Sequence, residues 1–250
     1  MVQLQLEQSL PNNLFVTVAY DRSRGIKAQR ARDLNAPFPE TGLRPFPDEG
    51  QIVQLESGLS THQHFKATMR QRISIFNLTA DYLYYHGLHD QPSTGLGLPV
   101  DSRNVWKEWG RTNDPSHTFN ASVNSRLPLN VYLTTVIGAR SGSRYTITTG
   151  RDDNGDGVSN DRPPGIVKNS EVGPNYFDVS FNISKAIEFR RDGSGAAGSG
   201  PRMNVFANLS NAFNMTHLGR PSGVMTSPFF RQSFNASSPR QIEVGMRFQF

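Results

Sequence analysis

The last ten residues, 241–250, alternate without a break. Ile242, Val244, Met246, Phe248 and Phe250 fall on one side of an extended strand, and Gln241, Glu243, Gly245, Arg247 and Gln249 fall on the other. One side suits an apolar medium and the other suits water. Terminal residues of soluble domains usually fray, so a patterned strand running to the last atom predicts an end that is held or recognised. Strands with two unlike faces are the constraint that every other reading of this chain must meet.

Hydrophobic residues make up 36% of the chain and mean hydropathy is -0.51. No stretch approaches the roughly 20 apolar residues of a spanning helix, so a helical membrane protein is excluded. A transmembrane barrel is not, because it shows lipid only every second residue and its hydropathy averages to that of a soluble protein. Cysteine is absent, which excludes a disulfide scaffold and thiolate metal sites. The net charge of +5 reads as a basic lumen and rim, with an anionic substrate or lipopolysaccharide as the alternative. Nothing points to nucleic acid. The opening MVQLQLEQSLPNN has no basic n-region, no apolar h-region and no small-residue cleavage site. No signal peptide is visible, and the chain reads as the C-terminal piece of something longer.

The period of two recurs along the chain. Phe177, Val179, Phe181 and Ile183 alternate with Asp178, Ser180, Asn182 and Ser184, and Met203, Val205, Ala207 and Leu209 alternate with Asn204, Phe206, Asn208 and Ser210. Further apolar rows are Phe76, Leu78, Ala80, Tyr82 and Tyr84; Phe119, Ala121 and Val123; Val131, Leu133 and Ile137; and Leu14, Val16, Val18 and Tyr20. The opposite rows hold mainly Asn, Thr, Ser and Asp, as a wet interior would. Short links at 10–13, 72–74 and 126–128, and a Gly/Ser link at 192–200, alternate with long polar stretches at 21–60, 87–114, 141–174 and 214–239. This is the rhythm of short inner turns and long outer loops. The prediction is all-β: the C-terminal portion of an antiparallel transmembrane β-barrel, with about nine membrane strands. Residues 1–250 form one partial barrel domain of the cell outer membrane, from which further strands of a roughly 22-stranded barrel are missing.

At Tyr20-Asp21-Arg22-Ser23-Arg24-Gly25 leading to Asn35-Ala36-Pro37, and at Thr149-Gly150-Arg151-Asp152-Asp153-Asn154-Gly155-Asp156 with Asn160-Asp161-Arg162-Pro163, the chain resembles a known family. Asn208-Leu209-Ser210-Asn211-Ala212-Phe213-Asn214 and the closing strand extend the likeness over nearly the whole chain. It resembles the C-terminal part of the TonB-dependent receptor barrel, of the Oar-like subgroup with a carboxypeptidase-regulatory-like domain. The resemblance implies active uptake of a large, scarce nutrient, coupled to the TonB system through a plug domain and Ton box that this chain lacks. It implies outer-membrane lipid as surroundings and the barrel-assembly machinery as a partner reading Phe250 and Phe248. An apolar aromatic edge strand can be captured by strand addition before a sheet closes. The alternatives are a non-transporting structural or adhesive surface barrel and, further off, a soluble sugar-binding β-sandwich.

Asp152, Asn154 and Asp156 fall at the first, third and fifth positions of a calcium loop and Gly157 at the sixth. Pro163 stands where a bidentate Glu belongs, which leaves Asp161 as a late ligand. The reading is open between a calcium-stabilised loop and an ion-free Asx-rich turn. Gly193-Ser194-Gly195-Ala196-Ala197-Gly198 matches GxGxxG, but a strand pattern follows where a nucleotide loop needs a helix. The sequons at Asn77, Asn182 and Asn208 sit in strands and follow from the polar rows. His62 with His64, and His86 with His89 and Asp90, lack a third ligand at convincing spacing. No nucleophile elbow, HExxH or P-loop is present, so no enzymatic role and no resident cofactor are expected. Tyr82, Tyr84 and Tyr85 read as an interfacial girdle, while Phe229 and Phe230 suit either a girdle or ligand stacking.

Overall fold

The computed structural model describes residues 1–92, 97–189 and 201–249. Its strands are β1 (Val2–Leu10), β2 (Leu14–Asp33), β3 (Val53–Ile73), β4 (Phe76–His89), β5 (Gly110–Arg111), β6 (His117–Leu127), β7 (Val131–Arg140), β8 (Arg144–Tyr145), β9 (Glu171–Val172), β10 (Tyr176–Glu188), β11 (Arg202–Ser210) and β12 (Gln241–Gln249). Nine of them form one antiparallel wall in the order β1-β2-β3-β4-β6-β7-β10-β11-β12, with β5 added beside β4; β8 and β9 pair separately. The wall follows chain order throughout. Among the described residues it does not close, and β1 and β12 are its edges. Two short 3-10 turns, Val105–Glu108 and Pro128–Asn130, are the helical content of the described residues.

The register turns local alternation into two continuous faces. Leu6 pairs with Val18, Val18 with Ala67, Ala67 with Tyr82, Tyr82 with Phe119, Phe119 with Ala139 and Ala139 with Phe177. One residue along, Glu7 pairs with Thr17, Thr17 with Thr68, Thr68 with Asp81, Asp81 with Asn120 and Asn120 with Gly138. A one-residue slip anywhere would move carboxylates onto the apolar face, so each pairing is strongly specified. Phe206, on the polar face, covers its partner Gly245 so closely that a Cβ there would lie 2.5 Å from the ring. An aromatic ring over a cross-strand glycine replaces the packing that the glycine cannot supply.

The turns at one end are short and use residues that tolerate positive φ: Asn12 (φ 61) and Asn13 (φ 54), Ser74 (φ 51), and Leu129 (φ 62) with Asn130 (φ 55). The third turn lies at Pro128–Asn130, a little later than its sequence position suggested. The link at 192–200, with the GxGxxG match, lies outside the described residues. At the other end stand four long connections, 34–52, 90–116, 141–175 and 211–240.

The stretch at 21–60 is not all loop. β2 continues to Asp33 and β3 begins at Val53, paired through a bulge between Gly25 and Ala28. The membrane needs only about 9–11 residues per strand. Beyond that span both faces meet water, so the hydropathic alternation stops while main-chain pairing continues. For the same reason β4 runs to His89 rather than ending near Gly87.

The largest fully buried side chains lie at the loop end of the molecule, in the long connections or, for Asp33, at the end of the strand that leads into one. Lys168, Asn35, Asp33, Asp90 and Ser102 are under 2% exposed, and all lie in or beside the long connections. The apolar rows, by contrast, leave many large side chains uncovered, with Phe76 45% and Phe177 39% exposed, although Ala121 and Val179 are buried. Ile242 is 71% exposed and Val244 73% exposed, which only a hydrocarbon surround or a covering partner makes stable.

Candidate functional site

The four long connections interlock into one crown. Arg103 donates from Nε to the Ala36 carbonyl at 3.0 Å, and Asp33 donates its amide to Ser102 Oγ at 3.0 Å, joining the first and second connections. Arg44 donates to Gly155 O at 2.9 Å and Gln51 to Asp156 O at 3.0 Å, joining the first and third. The second and third meet where Asn154 Nδ2 donates to Val100 O at 2.8 Å and Asn160 Nδ2 to Leu98 O at 3.0 Å. The fourth joins by Thr148 N to Gly223 O and Met225 N to Thr148 O, both 2.9 Å.

Two buried groups anchor this arrangement. Asn35 shares its amide protons among the carbonyls of Phe46, Glu49 and Gly50 at 2.8 to 3.0 Å, while its Oδ1 accepts the Phe46 amide at 2.8 Å. One side chain thus replaces a turn's worth of backbone partners. Lys168 donates from Nζ to Gln91 O at 2.5 Å and His89 O at 3.2 Å, with Glu108 Oε2 3.9 Å away. Burial lowers its ammonium to about 8, against the opposing pull of Glu108. Glu108 also accepts from Arg162 Nη2 at 3.1 Å and from the Val100 amide at 3.0 Å.

The acidic motif folds back on its own backbone. Asp152 accepts the amides of Asp156 at 3.0 Å and Gly157 at 2.9 Å, Asn154 Oδ1 accepts Asp156 N at 2.9 Å, and Asp156 Oδ1 accepts Val158 N at 2.9 Å. Asp161 Oδ2 accepts Asp153 N at 2.7 Å and Asn154 N at 3.3 Å. The four predicted ligands thus lie in one tightly folded loop, with these oxygens facing amides. Among the described residues no three His, Asp or Glu side chains converge as a metal-holding group. Burial raises the Asp156 and Asp161 carboxyls above the ordinary value of 3.8, and Asp152 adds to both shifts. With no ion added, the folded loop binds protons more tightly than the unfolded one. Its stability therefore grows as pH falls through the raised values towards 3.8 and is lost as pH rises through them. In chelator, amide protection factors at residues 153–158, taken relative to the intrinsic exchange rate at each pH, rise on acidification, and Asp156→Asn removes part of that pH dependence. A slope of the opposite sign would show that the charged forms are the stabilised ones.

The other sequence candidates fall on opposite sides of the wall. His62 Nδ1 meets Tyr85 OH at 2.8 Å and His64 Nδ1 meets Asp21 Oδ1 at 2.8 Å, all on the polar face. Tyr82 and Tyr84 stand on the apolar face with His117, so the tyrosine cluster splits and only these two occupy a girdle position. His86 contacts Arg111, while Asp90 accepts the Leu59 amide and pairs with Arg30, which separates that histidine from its expected neighbours. Asn182 and Asn208 bond each other across the polar face. Phe229 is 51% exposed in the fourth connection, where Phe230 carries Arg231 over its ring. Phe248 stands on the apolar face of edge strand β12 opposite Met203; Phe250 lies outside the described residues. At the turn end of the polar face a groove of about 960 Å³ runs between Glu7, Phe15, Arg70, Arg72 and Asn77.

Sequence reading missed the centre of the crown. Trp106 and Trp109 sit 6.5 Å apart, edge to face, on the wall of a cavity of about 840 Å³. The signal was available: these are the chain's two tryptophans, three residues apart in a polar stretch. Lys168 and Glu108 carried no such signal, because a buried ion pair is invisible without its partners.

The chain belongs to the outer membrane beta barrel domain family, which matches residues 1–185. The apolar face is accordingly the hydrocarbon-facing surface of an outer-membrane wall. The structure is similar to that of the outer membrane transporter YddB from Escherichia coli, with a TM-score of 0.62 and 9% identity over 98% of this chain and 31% of that one. At that identity the likeness is one of fold. The chain spans less than a third of that transporter's length. No curated protein matches the chain.

Proposed function

We propose that this chain supplies part of the wall and the ligand-collecting crown of a TonB-dependent outer-membrane transporter or receptor, of the Oar-like type, that takes up a large, scarce nutrient. The observation that carries this reading is the placement of all four long connections at one end of the wall, interlocked by hydrogen bonds above a continuous polar face. A wall that only anchors has no use for such a crown. The fold shared with an outer membrane transporter supports the reading. The role is binding and passage rather than catalysis.

The open edges belong to the same proposal. In hydrocarbon each unpaired backbone group costs several kcal/mol, so β1 and β12 need covering strands, and residues 1–250 act as one part of a larger closed barrel. Coupling to the TonB system falls to a plug domain outside this chain. Phe248 and Phe250 would be read by the barrel-assembly machinery before closure. Calcium at Asp152, Asn154, Asp156 and Asp161 is a further part of the proposal, supported by their spacing. It requires a stability gain at millimolar calcium and a reversal of the pH slope described above; no gain removes it.

The test of function is uptake by cells carrying the native gene compared with a deletion strain, with and without collapse of the proton-motive force. Growth on limiting nutrient that depends on the gene and on the energised inner membrane supports transport. Unchanged uptake with loss of surface attachment would replace it with an adhesive role.

A further inference from the structure

We infer that the tryptophan-lined cavity of the crown takes an organic cation with an apolar body, of the kind presented by the basic side chains of a short peptide. The inference rests on the crown being the ligand-collecting face. The cavity, of about 840 Å³, lies between the first three long connections, and that volume suits a ligand of drug or short-peptide size. Trp106 is 61% exposed at its wall. A tryptophan left uncovered in an otherwise tightly bonded crown offers a ring face to something not yet in place.

The charges around the cavity choose among ligands. Lys107 is engaged by Asp101 at 2.7 Å, and Arg162 by Glu108 at 3.1 Å and by Lys107 O at 2.6 Å. The cations on the wall are thus already matched. Asp153, Asp156 and Asp161 also line it, and among the described residues none of them has a cationic partner. A chain with net charge +5 therefore presents a locally negative, aromatic-walled cavity. An anion is repelled there, a neutral sugar leaves the exposed Asp153 carboxylate without a charge partner, and a bare metal ion makes no use of the indoles. The site already holds one example of the chemistry: the Arg103 guanidinium lies 4.3 Å from the centroid of the Phe38 ring, which is also part of the wall. Cations over indole rings with carboxylates nearby combine cation–π attraction with charge pairing.

Because Trp106 and Trp109 are the chain's tryptophans, tryptophan fluorescence of the full chain in detergent, excited where its tyrosines do not absorb, reports on this cavity. The probe is a tripeptide of arginine, leucine and arginine; its controls are the same peptide with citrulline for arginine, maltotriose, and calcium chloride. The arginine peptide is expected to give a saturable change, with the citrulline peptide at least tenfold weaker. Asp153→Asn and Trp106→Ala, both at exposed positions and read by the remaining indole signal, should each weaken binding by roughly 2- to 30-fold, the span of a single cation–π or charge contact. Equal binding of the citrulline peptide, preferential binding of maltotriose, or no effect of either substitution overturns the inference; the calcium chloride control separates occupancy of the acidic loop from peptide binding. Failure here leaves the uptake experiment untouched, and failure of energised uptake leaves this binding measurement standing, so the two ideas fall separately.

Discussion

Val123→Arg is expected to prevent the wall from folding stably in a bilayer, whereas Ser122→Arg, one residue away, is tolerated. Val123 lies near the middle of β6 on the apolar face, paired with Leu78 on one side and Thr135 on the other. Ser122 points the opposite way, between Thr79 and Val136 on the polar face. An arginine on the lipid face at the midplane costs about 2–4 kcal/mol, while one facing a wet lumen costs little. Urea-dependent folding into phosphatidylcholine vesicles measures the difference. Equal costs at the two positions would mean that the faces are not in unlike solvents.

Asn35→Ala should open the first long connection without harming the wall. The substitution leaves the carbonyls of Phe46, Glu49 and Gly50 and the amide of Phe46 without their buried partner. Each orphaned buried group costs about 1–3 kcal/mol, reduced where the loop can open to water. The combined penalty exceeds what a surface loop can absorb, so residues 34–52 should lose their single conformation. The Arg44 bridge to Gly155 and the Gln51 bridge to Asp156 would go with them. Limited proteolysis should cut within 34–52 at rates at least tenfold above wild type, a factor that about 1.4 kcal/mol supplies. The wall's own ladder is untouched, so its heat-modifiable gel mobility should not change.

How far the sequence could be read follows from where the physics is local. The rows of β4, β10, β11 and β12 were legible because hydrocarbon selects every second side chain, and the expectation of about nine strands agrees with the nine of the described wall. The outer halves of β2 and β3 were not, because beyond the Gly25–Ser60 pairing, as at Arg30 with Glu56, both faces are wet and polarity carries no period. The crown was least legible of all. Its contacts join residues far apart in the chain, such as Arg44 with Gly155 and Arg103 with Ala36, and no pattern within one loop encodes a partner in another. The acidic motif shows the limit from the other side. Its spacing could be read directly, yet the oxygens of Asp152 and Asp161 accept backbone amides, and spacing alone does not say which partner an oxygen takes. Asn35 stood within a segment noticed for its family resemblance, but its role as the clamp of the first connection appears only when Phe46, Glu49 and Gly50 fold around it.

The central claim is that one face of this wall meets hydrocarbon and the other meets water. The chain contains no cysteine, so single cysteines can be placed at each position from Phe177 to Ile187 along β10 without background. After spin labelling of the protein in lipid vesicles, collision rates with oxygen, which concentrates in hydrocarbon, should peak at positions 177, 179, 181 and 183. Rates with a water-soluble nickel chelate should peak at 178, 180, 182 and 184. Two profiles that rise and fall together, or that lack a period of two, would contradict the account.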